Sequence, residues 1–189
     1  MPSLMNFLLL TALLVTPFTV SAEGLLDELS FGVSVVRQES SLSLQTAGNT
    51  ISYTEDATGI ELYADHYHLG KYRYKGSLAH IAYDGFDITE LVVAADYLIP
   101  MDTQFSLFAG GAAGVAMQQF SDTGLSDSSS GLLYGVQLGG IYYLNKHFMT
   151  EFGYRLRQTS LKTEVADASN SRIELDQLDE IYISLLLMF

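Results

Sequence analysis

In eight stretches of this chain apolar residues recur at every second position, and that spacing restricts the possible folds more than any other feature. A strand sends alternate side chains to opposite faces, so a two-residue period marks a sheet with two unlike faces. The stretches fall at about 29–39, 58–69, 71–83, 88–99, 104–120, 131–144, 148–162 and 177–189. In the second, Ile60, Leu62 and Ala64 oppose Glu61, Tyr63, Asp65 and Tyr67. In the fourth, Leu91, Val93, Ala95, Tyr97 and Ile99 oppose Glu90 and Asp96. In the seventh, Phe148, Phe152, Tyr154 and Leu156 oppose Glu151, Gly153, Arg155 and Arg157. The third starts as cleanly, with Tyr72, Tyr74, Gly76 and Leu78 against Arg73, Lys75, Ser77 and Ala79. Its upper half, with His80 and Ile81, fits that facing poorly.

The connections alternate in length. Leu69-Gly70-Lys71, Pro100-Met101-Asp102-Thr103 and Asn145-Lys146-His147 are short, whereas 40–57, 121–130 and 163–176 are longer and polar, and Tyr83–Asp87 is a short exception. The three tight turns follow stretches two, four and six, so the first and last strands end on the same side. Even strand count, short turns at one end and longer loops at the other predict an all-β fold: a single-domain, antiparallel, up-and-down, eight-stranded transmembrane β-barrel. The competing architecture is a soluble barrel or sandwich with its apolar face inward. Three features favour the membrane version: Tyr and Phe near strand ends, small or charged opposite faces, and a last strand that ends on Phe189.

Composition agrees. With no Cys there is neither a disulfide nor a thiolate metal site. Twelve Tyr and ten Phe supply interfacial rings. Beyond Pro2 and Pro17 only Pro100 interrupts hydrogen-bonded ladders. The net charge of −13 disfavours a nucleic-acid partner, which needs a basic patch. Residues 1–22 read as a secretory signal peptide. Phe7–Val15 is its apolar stretch, too short to span a bilayer, and Val20-Ser21-Ala22 precedes a cut before Glu23. No Lys or Arg precedes that stretch, and Glu23, where a lipoprotein has Cys, closes the lipid-anchor route. The barrel domain is therefore expected over 23–189.

In the last stretch Ile181, Ile183, Leu185, Leu187 and Phe189 share one face, with Glu180, Tyr182 and Ser184 on the other. The ending formed by Tyr182, Ile183, Leu185, Leu187 and Phe189 resembles the C-terminal signal of bacterial outer-membrane barrels, which the barrel assembly machinery recognises. The 23–189 segment resembles the small eight-stranded barrels grouped with OmpX, Ail and the transmembrane domain of OmpA. The resemblance implies the cell outer membrane, both termini periplasmic, contact with lipopolysaccharide, a monomer, and 40–57, 121–130 and 163–176 as outer loops. Lipid A-modifying barrels of similar size are the catalytic comparison. PagL-like members carry a His-x-Ser pair, but none of His66, His68, His80 and His147 has Ser two places on. No catalytic residue, cofactor or metal is therefore assigned.

Four constellations remain. Glu61, Asp65, Arg73, Lys75, Asp96, Glu151, Arg155 and Arg157 share the inward parity. An eight-stranded barrel is just wide enough for its own side chains, so a salt-bridged plug is expected there, with a gated pore or proton path as the alternative. His66 and His68 share a face, but no spacing supplies further ligands for a metal. The acids Glu55, Asp56, Asp84, Asp87, Asp122, Asp127, Glu164, Asp167, Glu174, Asp176 and Asp179 read as solvated loop charges. Alternatively, they capture an extracellular cationic ligand or bridge divalent cations to lipopolysaccharide phosphates. Gly110, Gly111, Gly114, Gly135, Gly139 and Gly140 read as curvature and packing. The expected function is a non-enzymatic outer-membrane protein with a structural, envelope-integrity or surface-interaction role. A narrow porin-like channel and a lipid A-modifying enzyme are the alternatives.

Overall fold

The computed structural model describes residues 29–46, 49–120, 128–164 and 172–188. Eight strands, β1 (Leu29–Thr46), β2 (Asn49–His68), β3 (Tyr72–Ala82), β4 (Phe86–Pro100), β5 (Phe105–Phe120), β6 (Ser128–Tyr143), β7 (Phe148–Glu164) and β8 (Arg172–Met188), form one closed antiparallel barrel. Each pairs with its neighbour in sequence, and β1 pairs with β8. Register partners followed once round from Phe31, through Ala64, Gly76, Val93, Ala113, Tyr134, Gln158 and Gln177, lead to Ser41, ten residues further along β1. That stagger means the strands tilt, as closure requires. The proposed signal peptide and Phe189 lie outside the described residues.

The end of the barrel that holds the start of β1 and the finish of β8 is called here the near end. Its three turns are compact for identifiable reasons. Leu69 and Gly70 both take positive φ (54° and 64°), and Lys71 N donates to His68 O at 3.2 Å, the turn whose twist suits a two-residue hairpin. Asp102 accepts from the backbone N–H of Gln104 and Phe105 at 2.6 and 2.7 Å. Asn145 does the same for His147 and Phe148 at 2.8 and 3.0 Å. Both are Asx turns that satisfy backbone donors locally.

Outward-facing side chains form an apolar band. On β4 it runs over Leu91, Val93, Ala95, Tyr97 and Ile99, all exposed, the last two near the near end. Nine residues from Leu91 to Ile99 suit a tilted membrane strand, for which about 9–11 residues are needed. The near-end border is aromatic. Tyr72 and Tyr97 pack edge to face at 5.6 Å, and Phe31, Tyr142 and Phe148 stand nearby on other strands. The far border is abrupt. The outward run passes from Val35 to Arg37, Ile60 to Thr58, Leu78 to His80, Leu91 to Thr89, Leu156 to Gln158 and Ile181 to Asp179.

Past that border the facing inverts. Ile81, Tyr83, Phe86, Ile88, Leu133, Leu161, Leu175 and Leu178 point inward and are buried together in an apolar cluster that fills the far end. This resolves the poor fit of β3. Below the border its inward residues are Arg73 and Lys75, and above it they are Ala79 and Ile81. In lipid the outward face must be apolar and the inside is free to be polar; in water the requirement reverses.

One expectation is corrected. Residues 40–57 are not a loop: β1 runs to Thr46 and β2 starts at Asn49, with Thr46 opposite Asn49 in register. Likewise β6 begins at Ser128, β7 reaches Glu164 and β8 begins at Arg172, so 121–130 and 163–176 lose residues to strands. Polar composition marked these segments as loops, but β-branched Thr50, Ile51 and Thr54 favour strand, and a ladder beyond the membrane can be polar on its wet face.

A two-tier charge network in the lumen

The strand parity that turns apolar residues to the outside turns every charged residue of the membrane zone inward. All eight predicted lumen residues, Glu61, Asp65, Arg73, Lys75, Asp96, Glu151, Arg155 and Arg157, are buried inside the barrel. They form two tiers.

In the near tier, Arg73 of β3 sends Nε and Nη2 to Asp96 Oδ2 at 2.9 and 2.7 Å and Nη1 to Glu151 Oε2. Lys75 Nζ donates to Glu151 Oε1 at 2.9 Å, and Gln137 Nε2 donates to Asp96 Oδ1 at 2.7 Å. Asp65 is reached by Arg73 only at 3.6 Å. In the far tier, Arg155 bridges Glu61 (2.9 Å) and Glu180, while Arg157 bridges Glu90 and Glu180. Gln38 Nε2 donates to Glu90 at 2.9 Å and to Glu180 at 3.2 Å. Tyr83, in the β3–β4 turn, roofs this tier by donating to Gln38 Oε1 at 2.7 Å. Burial, foremost, pushes the Tyr83 phenol pKa up, so it stays a donor.

Tyr182 joins the tiers. Its hydroxyl donates to Glu151 below, and the Arg155 guanidinium lies over its ring at 3.8 Å. Arg73 lies over Phe108 at 4.3 Å and Lys75 over Tyr63 at 3.9 Å, so three of the four buried cations rest on aromatic faces. Inward glycines make this possible. A Cβ on Gly153 would come within 2.6 Å of the Tyr182 ring, and one on Gly32 within 2.3 Å of Tyr63. The rings therefore lie flat across the neighbouring strand.

Glu90 and Glu180 complete the network, though they were outside the predicted set. Their inward parity was readable. The predicted set was already balanced, four acids against four bases, so charge pairing asked for no more. Of the remaining predicted residues, Ile183, Leu185 and Leu187 face outward and are exposed, whereas Tyr182 is buried. His66 and His68 share the outward near-end border. Among the described residues no group of three or more His, Cys, Asp or Glu is placed to hold a metal. Asp56 and Asp84 are exposed, Glu55, Asp87 and Asp179 half-buried. Asp122, Asp127 and Asp167 lie outside the described residues.

No family model matches the chain, and no curated protein matches it in sequence. Its fold is similar to that of solved outer-membrane barrels. Neisserial surface protein A shares 13% identity at a TM-score of 0.58, over 83% of this chain and 97% of that one. OprG from Pseudomonas aeruginosa shares 17% at 0.48, over 85% and 96%. Ail of Yersinia pestis, solved with the heparin analogue sucrose octasulfate, shares 16% at 0.40, over 81% and 98%. The fold is thus that of the small eight-stranded outer-membrane barrels.

Proposed function

We propose that this chain is an integral, non-enzymatic protein of the Gram-negative outer membrane. Its near end faces the periplasm, its barrel is sealed, and its role is structural or carried by its outer surface. The observation that supports this best is the filled lumen. Two ion-paired tiers occupy the membrane zone, and the apolar cluster around Ile81 and Leu178 closes the far end. A solute would have to break buried ion pairs and then displace packed hydrocarbon, each step costing several kcal/mol. The exposed apolar band supports membrane insertion. Short turns at the near end support a periplasmic orientation for it, since such barrels keep short turns there. The Tyr182–Phe189 ending then serves as the signal for the barrel assembly machinery, and the rim beyond the band meets lipopolysaccharide. The strand extensions past the band, such as Ser40–Thr46 with Asn49–Asp56, give the outer side a rigid protrusion for surface contacts.

The test is planar-bilayer recording with the refolded barrel, beside fractionation of cells expressing it. The expected result is outer-membrane recovery and no unitary conductance. Glu151→Gln removes the charge facing Arg73 and Lys75 and should lower stability by about 3–5 kcal/mol while leaving the baseline silent. Stepwise conductance from the unaltered protein would establish the narrow-channel reading instead.

A further inference from the structure

The near tier is not neutral. It holds three buried carboxylates, Asp65, Asp96 and Glu151, against two cations, Arg73 and Lys75. Asp96 and Glu151 take the hydrogen bonds of both bases, of Gln137 and of Tyr182. Asp65 takes none: it is fully buried and both its carboxylate oxygens lack a hydrogen-bond partner. Two more oxygens beside it are in the same condition. Ser30 is its register partner across the β1–β2 ladder, and Tyr67 is the next inward residue of β2. The Oγ of Ser30 and the phenolic oxygen of Tyr67 are both buried without a partner.

A carboxylate left without hydrogen bonds in a buried site is strongly destabilising unless something positive joins it. The surrounding atoms are all oxygen, which suits a hard cation rather than a soft one. One surplus negative charge calls for one positive charge, and a divalent ion would overshoot. We propose that Asp65, with the Ser30 and Tyr67 hydroxyls, binds one monovalent hard cation, sodium, at the near end of the lumen. The site neutralises the near tier and ties β1 to β2 close to where the barrel opens.

The test uses the full barrel folded in detergent, its Tm read in sodium chloride and in choline chloride at equal ionic strength and fixed pH. Choline is too large for the site. The expected result is a saturable, sodium-specific rise in Tm that Asp65→Asn abolishes. Tyr67→Phe, which keeps the ring, should raise the half-saturating sodium concentration about fivefold. Equal Tm in both salts for the unaltered protein would overturn the proposal, as would a sodium response that survives Asp65→Asn. Stabilisation by acid in choline with no sodium effect would assign the missing charge to a proton and likewise overturn it. If Asp65→Asn does not fold, Tyr67→Phe and Ser30→Ala decide: unchanged half-saturation in both refutes the site.

Discussion

At Tyr182 one side chain does three separable things. Its ring fills the space that Gly153 leaves, its face carries Arg155, and its hydroxyl binds Glu151. Tyr182→Phe removes only the last. The loss of a hydrogen bond to a buried charge should cost about 1.5–3 kcal/mol, read as a lower urea midpoint for the barrel folded in micelles. Gly153→Ala attacks the first. The new methyl group would sit where the ring is, and overpacking of this kind costs about 1–3 kcal/mol. The two changes act on one ring, so their combination should fall short of the sum, and a double-mutant cycle checks this.

Along a single strand, the same alternation means opposite things on the two sides of the lipid border. Val93 and Gln158 both point outward, one within the apolar band and one just past it. Val93→Arg should destabilise the barrel in liposomes by about 2–4 kcal/mol, whereas Gln158→Arg should be near neutral. Inside, Ile81→Ala cuts into the far-end cluster and should cost about 2–5 kcal/mol, with no change in membrane insertion. Unfolding of the lipid-reconstituted barrel by urea measures all three.

That border also explains what could be read in the sequence and what could not. The eight strands, their facing and the inward charges followed from parity, because a strand has only two faces and lipid tolerates one kind. Ile81 broke the pattern because it belongs to a second environment, water outside and hydrocarbon inside. The hairpin over 40–57 stayed hidden for the same reason: once both environments are wet, polar residues no longer distinguish strand from loop. Asp65 and Asp96 were visible as inward acids, yet their different fates were not. Asp96 receives Arg73 and Gln137 because of the stagger between β3, β4 and β6, a three-dimensional relation that no spacing along the chain encodes.

At the scale of the molecule, closure leaves no open edge, and the interior is packed along its length. A barrel of this kind resists partial unfolding. Unboiled protein in dodecyl sulfate should migrate faster than boiled protein on a gel, and loss of that difference in Glu151→Gln would tie the resistance to the near tier.

Closure has a consequence for how the molecule is made. The ladder between β1 and β8 joins Ser30 to Met188, the first strand to the last. During synthesis β1 has no partner on that side until the final strand has emerged, so every shorter intermediate carries an unsatisfied edge. Such edges pair with whatever strand is nearest. The growing chain must therefore be shielded until it is whole, and seams made elsewhere in the meantime must come apart again. Contacts between residues this distant in sequence also form late and slowly. A chain cut short within β8 should be not a weaker barrel but an open sheet, cleared by proteases before it reaches the bilayer.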